Sequence, residues 1–262
     1  MCKLLVKYDA FYSTHIRNED RGLWASIDEA LEVSDKSGCP VHISHLKLAG
    51  RNNWGESKRL LNYLTEAYKN RVLVTWDVYP YTAWGGSFED LFPVCETIHD
   101  KLEKMSRSKV LRQKLSNDIR HEMDLRGSSW DKITITHASN SDGVCGKNIQ
   151  EIASENNEDV LETFFRILLE NNGNVKIIGH DMTHEDMTYL LKHPDTIIAT
   201  DSRAITYKSD NKVRSPHPRY CGSIPKILRF AREGVFSFEE GIRKMTSLPA
   251  DRMKLWERGR IE

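Results

Sequence analysis

The chain has 262 residues, and its 38 lysines and arginines are balanced by 38 aspartates and glutamates, so its formal net charge is zero. That balance argues against a nucleic-acid binder, which needs a basic excess, and gives no electrostatic hold on an anionic membrane. Cys2, Cys39, Cys95, Cys145 and Cys221 are scattered, odd in number and without a CxxC pair, which points to a reducing cytoplasm rather than a disulfide framework. No apolar run approaches the roughly 20 residues of a membrane-spanning helix.

In chain order, AFYSTHI at 10–16 reads as a strand, and residues 20–38 read as an amphipathic helix closed by Gly38. VHISHLK at 41–47 is a second strand. SKRLLNYLTEAYKN at 57–70 has helical spacing with Ser57 as its cap, and VLVTWDVYP at 72–80 is a strand ended by Pro80. Residues 84–94 read as loop and 97–126 as helix. KITITHAS at 132–139 is a strand, followed by helices in NIQEIASENN and DVLETFFRILLENN, a strand in NVKIIGHDM and a helix in HEDMTYLLKH. TIIATDS at 196–202 is the next strand, and IPKILRFAREG and SFEEGIRKMTSLPADRMKL are helical. Strands separated by helices predict parallel βαβ units, in a doubly wound sheet or in part of a (β/α)8 barrel. Either fold places chemistry at the C-terminal strand ends.

Those ends are polar. Ser13-Thr14-His15-Ile16-Arg17, Ser44-His45-Leu46-Lys47, Asp77-Val78-Tyr79-Pro80-Tyr81 and Thr200-Asp201-Ser202 each finish a strand in groups costly to bury, and Thr136-His137 and Gly179-His180-Asp181 do so less distinctively. Histidine is a zinc ligand, and a carboxylate is a ligand or a base. Taken singly, each residue has a plainer explanation. His15 and His45 can simply hydrogen-bond at a strand end, Asp201 can cap a helix, and Lys47 and Arg17 can be surface charges. His42 reads as a face-packing or surface residue, and His99, His121, His184 and His193 as solvated.

The segments STHIRNE, HISHLKLAGRNNWG, DVYPYTA, ATDS, SPHPRYCGSIPKIL and IRKMTSLPADRMKL, in this order over nearly the whole chain, resemble the N-acyl-D-amino-acid deacylases, or D-aminoacylases, of the metal-dependent amidohydrolase superfamily. The resemblance implies a (β/α)8 barrel beside a small β-sandwich, and zinc-dependent hydrolysis of the amide of N-acyl-D-amino acids. It further implies that His15 and His45 are zinc ligands and Asp201 is the catalytic carboxylate. Lys47 and Tyr79 hold the substrate carboxylate, and Arg17, His217 and Arg219 complete the substrate-binding set, the last two in the loop after the final barrel strand.

Two features depart from the family pattern. No HxH occurs anywhere, and Cys2, in a helix leading into the first strand, does not match the family's ligating cysteine. By resemblance the chain therefore holds about strands 4 to 8 of an incomplete barrel over 1–262. The first strands and the sandwich are absent, and a helical insertion covers the mouth around 138–175. Weak metal binding and little or no activity are expected of the chain alone. After YPYTA, the run Trp84-Gly85-Gly86-Ser87 replaces the family's usual Gly-Ser-Thr, which puts substrate preference in question, although the glycines also suit a turn. Competing expectations are a dihydroorotase-, hydantoinase- or dipeptidase-like amidohydrolase, a non-catalytic remnant, and one half of a split enzyme completed by an N-terminal chain.

Overall fold

The computed structural model describes residues 1–92, 108–202 and 217–261. In chain order the elements are α1 (Cys2–Val6), β1 (Tyr12–Thr14), α2 (Leu23–Ser37), β2 (Val41–Ile43), α3 (Ser57–Lys69), β3 (Val74–Val78) and β4 (Trp84–Ser87). They continue with α4 (Lys109–Arg126), β5 (Ile133–Ala138), α5 (Ile149–Asn156), α6 (Val160–Glu170), β6 (Val175–Gly179), α7 (His184–Lys192) and β7 (Thr196–Ile198). The last are α8 (Arg219–Arg232), α9 (Phe238–Met245) and α10 (Ser247–Arg252). Of the helix expected over 97–126, residues 97–107 lie outside the described residues, as do His99 and Cys95.

Two compact units divide the chain. The first comprises Met1–Thr82, Met182–Ala204 and Pro218–Glu262, and the second Ala83–Asp181 and Ile205–His217.

The first unit carries a four-stranded, wholly parallel sheet of order β1-β2-β3-β7. Its strands are shorter than the sequence suggests: β2 stops at Ile43, so Ser44 to Lys47 already lie beyond its end. Burial alternates along β3, with Val74, Trp76 and Val78 buried and Thr75 and Asp77 half-buried on the opposite face. The apolar face joins Ile27 of α2, Leu60 and Leu64 of α3, Leu190 and Leu191 of α7 and Phe230 of α8 in one core. The register His42↔Thr75 places His42 beside Thr75 in the ladder.

Helix ends follow local chemistry. Gly38 closes α2 at φ 69°, a left-handed angle at which a side chain would be strained. Ser57 is the first residue of α3 and not its cap. Its N–H and that of Gly55 are instead satisfied by the buried Asp186 carboxylate near the start of α7, at 3.3 and 2.9 Å. This long-range partner is invisible to a local capping rule.

The second unit corrects the βαβ expectation. β5 and β6, expected as barrel strands, form a separate antiparallel sheet with β4, in the order β4-β6-β5. Period-2 patterning marks a strand but not its direction. Residues 84–94, read as loop, contain β4 and a 3-10 helix at Phe88–Leu91 held by a Ser87–Asp90 capping box. Gly85 and Gly86 hid the strand, and Gly86 admits a neighbour's bulk: a Cβ there would lie 2.9 Å from the Trp84 ring. The second unit begins at Ala83 and is not purely helical. Its largely aliphatic core holds an aromatic cluster, with Phe164 packed against Phe88, Phe92, Trp130 and Phe165.

Candidate metal centre

Because β1, β2, β3 and β7 run parallel, their C-terminal ends lie on one edge of the sheet. His15 follows β1 directly, His45 stands two residues after β2, Tyr79 follows β3, and Asp201 stands three residues after β7. Two of these residues leave the sheet in the left-handed region, His45 at φ 43° and Asp201 at φ 46°. Such backbone costs of order 1–3 kcal/mol outside glycine and clusters where function demands a particular side-chain aim.

The two imidazoles meet. His15 Nδ1 lies 2.9 Å from His45 Nε2, with the rings crossed at 61°. On its other edge, His45 Nδ1 faces Glu19 Oε1 at 2.9 Å and Lys47 Nζ at 2.8 Å. Glu19 Oε1 is 3.8 Å from His15 Nδ1 and forms an ion pair with Lys47. Among the described residues, His15, Glu19 and His45 are a group of side chains whose ligand atoms all lie within 4.8 Å of one another.

Charge completes the cluster. Burial would raise the Glu19 carboxyl, but the Lys47 ammonium and the His45 hydrogen bond overcome it and bring it down to about 2. Burial lowers Lys47, and Glu19 opposes the shift. The His15 side chain is 63% exposed, yet desolvation by the groups around it still draws it below the ordinary imidazole value against the pull of Glu19 and Asp201. Lys47 Nζ stands 5.6 Å from the centroid of the buried Tyr79 ring, and the Arg219 guanidinium 4.6 Å from it. Arg219 in turn pairs with Asp201 at 2.6 Å. Burial raises the Tyr79 hydroxyl well above its usual value, so the phenol is a neutral donor.

Two imidazole nitrogens are donors that zinc accepts, and Glu19, placed at His45 Nδ1, would support that ring from behind. Two nitrogens on one tetrahedral zinc at the usual bond lengths stand about 3.3 Å apart. The 2.9 Å pair therefore fits after opening by a few tenths of an ångström. Binding also selects a tautomer. Ligation needs His45 Nε2 free of its proton, so that Nδ1–H donates to Glu19 and the Lys47 ammonium, which only donates, turns from Nδ1 to the Glu19 carboxylate.

The structure thus brings together His15, His45, Lys47, Tyr79, Arg219 and Asp201. It does not bring Arg17 to them, because that guanidinium is exposed and bidentate with Glu29 at 2.9 and 2.6 Å. Arg219 is the first residue of α8 rather than a loop residue. His217 belongs to the second unit, where its Nε2 donates to the Ala83 carbonyl at 2.9 Å. The ends at His137 and His180, once grouped with the others, belong to the second unit's antiparallel sheet.

Two participants escaped sequence reasoning. Glu19 closes the STHIRNE segment four residues after His15, a spacing that carried a usable signal. His42 is buried, with its ring between Thr75 and Asp77 rather than on the surface.

No protein-family model matches the chain. Two curated proteins of Alcaligenes xylosoxydans xylosoxydans do match it. N-acyl-D-glutamate deacylase is 27% identical over 96% of this chain and 43% of its own length, and D-aminoacylase is 27% identical over 100% and 45%. Among solved structures, the crystal structure of D-aminoacylase superposes with a TM-score of 0.72 at 24% identity, covering 100% of this chain and 46% of that one. N-acyl-D-glutamate deacylase from Bordetella bronchiseptica, complexed with zinc and a phosphonate inhibitor, gives 0.72 at 23% identity, covering 98% of this chain and 45% of that one. The chain therefore spans less than half the length of the relatives it matches. It is related in sequence to the deacylases named D-aminoacylase and N-acyl-D-glutamate deacylase, and it shares the α/β fold of the solved D-aminoacylase structures.

Proposed function

We propose that the chain carries the strand 4 to 8 portion of a (β/α)8 amidohydrolase barrel with an inserted second unit, and that its polar strand ends serve zinc-dependent hydrolysis of N-acyl-D-amino acids. The observation that carries this is the convergence of His15 Nδ1 and His45 Nε2 at 2.9 Å on the sheet edge where Asp201 also emerges. The sequence relatives and the zinc-bearing homologous fold support it.

In this proposal His15 and His45 hold the metal, and Glu19 orients His45 and balances Lys47. The chemistry such a cation supplies is Lewis-acid polarisation of the amide carbonyl and a water made nucleophilic near neutral pH. Asp201 takes the proton from the attacking water and returns it to the departing amine. Its pairing with Arg219 aims it, and must loosen when the proton arrives. Lys47 and Arg219, both beside the Tyr79 ring, set a cationic wall for the α-carboxylate of the substrate. Because Glu19 and Asp201 already engage those cations, a substrate carboxylate adds to existing pairs and binds modestly.

The chain alone is proposed to turn over weakly or not at all, and to gain activity with a polypeptide supplying the remaining barrel strands. A cytoplasmic setting accords with Cys2, Cys39 and Cys145 as thiols outside any disulfide. The test is a zinc titration of the purified chain and an assay on N-acetyl-D- and N-acetyl-L-glutamate, with and without such a polypeptide. Zinc uptake and D-selective turnover on complementation support the proposal. Absence of uptake with His15 and His45 intact ends it, and robust turnover by the chain alone overturns the fragment interpretation.

A further inference from the structure

β2 ends at Ile43, and the chain turns sharply before His45, whose φ of 43° lies in the left-handed region that few non-glycine residues adopt. One residue of the next strand holds this turn. Asp77 Oδ1 accepts the His45 N–H at 2.8 Å, and the Asp77 carbonyl accepts the following N–H, that of Leu46, also at 2.8 Å. Two consecutive amides of the turn are thus tied to a residue that is itself locked in the ladder of β3.

The carboxylate is fixed in its turn. Its Oδ2 lies 2.8 Å from His42 Nε2, and because a carboxylate only accepts, that nitrogen carries the proton. His42 Nδ1 lies within hydrogen-bonding distance of Thr75 Oγ1, at 2.9 Å. Both side chains of the pair are nearly covered, with 10% and 13% exposure. Nothing in the proposed hydrolysis uses either group, and neither reaches the metal-facing nitrogens.

We propose that Asp77, backed by His42, is the positioning residue that holds the His45 imidazole against His15, so that metal affinity depends on a residue that touches no metal. This rests on the zinc assignment above for its affinity arm but not for its structural arm. Loss of an outer partner of this kind typically costs 10–100-fold in metal affinity.

The experiment uses the whole chain as Asp77→Ala, Asp77→Asn and His42→Ala, beside Leu61→Ala, which opens the α3 core of the same unit away from the site. Zinc affinity is measured by chelator competition, stability by thermal unfolding, and the His45 φ in metal-free protein by NMR couplings and shifts. Asp77→Ala is expected to bind zinc at least about tenfold more weakly and to release His45 from the left-handed region. Asp77→Asn keeps a carbonyl oxygen for the His45 N–H and should stay within a few-fold of the parent. Leu61→Ala should lower the melting temperature without moving zinc affinity or the His45 angle. Should Asp77→Ala fail to fold, His42→Ala carries the same expectation at smaller size. Parent-like zinc affinity and an unchanged His45 φ in the folded variants overturn the proposal. If the parent chain itself takes up no zinc, the metal assignment falls, and the His45 angle alone still decides the role of Asp77.

Discussion

His15 and His45 stand thirty positions apart in the chain, yet Nδ1 of the first and Nε2 of the second come within 2.9 Å. Adjacent parallel strands, paired Ser13↔His42 and Thr14↔Ile43, end side by side and deliver the two rings together. Replacing either ring by alanine should therefore abolish stoichiometric zinc binding. The loss should exceed the 10–100-fold typical of an outer partner, as read by chelator competition. One substitution that leaves affinity intact would remove that residue from the centre.

His15 should titrate below the ordinary imidazole value, because burial disfavours its charged form more than Glu19 and Asp201 restore it. A ring with a depressed folded value destabilises the protein when protonated, so His15 contributes nothing adverse above its unfolded value near 6.5. Its cost grows as pH falls through that value and levels off below the folded one. An NMR titration of metal-free protein checks the sign, and a His15 midpoint above 6.5 would contradict it.

Glu19 and Lys47 form a nearly buried pair, with 17% and 3% side-chain exposure. With a carboxyl held at about 2 against 4.5 unfolded, Glu19 contributes stability fully present above pH 4.5 and lost as pH falls toward 2. The difference corresponds to about 3 kcal/mol. Glu19→Gln should remove this acid-sensitive component and strand the Lys47 ammonium, a loss of roughly 3–5 kcal/mol for a broken buried pair. Denaturant unfolding of both proteins between pH 3 and pH 7 measures it, and parallel stability–pH curves would speak against the pairing.

Under the proposed hydrolysis, Asp201→Asn should spare zinc affinity while lowering the turnover gained on complementation by about 10²–10⁴-fold, the usual worth of a positioned acid–base group. It should also lower the melting temperature slightly, since Arg219, with 7% side-chain exposure, loses its anion. Turnover close to the parent's would move the proton-transfer role elsewhere.

Phe164, fully buried among four aromatic rings of the second unit, is the predicted weak point of that unit. Phe164→Ala should cost about 3–5 kcal/mol. Hydrogen exchange should place the loss first at the amides of β5 and β6. Uniform loss across the chain would mean that the cavity propagates.

Much of this was legible in the sequence. Gly38 marked the end of α2, the parallel strands of the first unit followed from strand–helix alternation, and polar endings at His15, His45, Tyr79 and Asp201 marked their C-terminal edge. The failures have physical causes. Alternation in Ile133–Ala138 could not reveal that its partner runs antiparallel, and two glycines disguised Trp84–Ser87 as a loop. His42 looked like packing because its value lies in a partner 35 residues on, and Arg17 looked like a binding group because its Glu29 partner sits on the next helix. Glu19 was passed over although it lies one turn's distance from His15, for a carboxylate draws notice as a ligand only once the second imidazole is seen beside it.

The left-handed backbone at His45 and Asp201 also limits how this protein can vary. Histidine, aspartate, asparagine and glycine tolerate that region, whereas valine, isoleucine and threonine resist it. In a saturation-mutagenesis library, these two positions should be closed twice over: most substitutions remove the functional group, and the branched ones also evict the turn that presented it. Variants rescued by glycine for folding but not for zinc would separate the two constraints in a single screen.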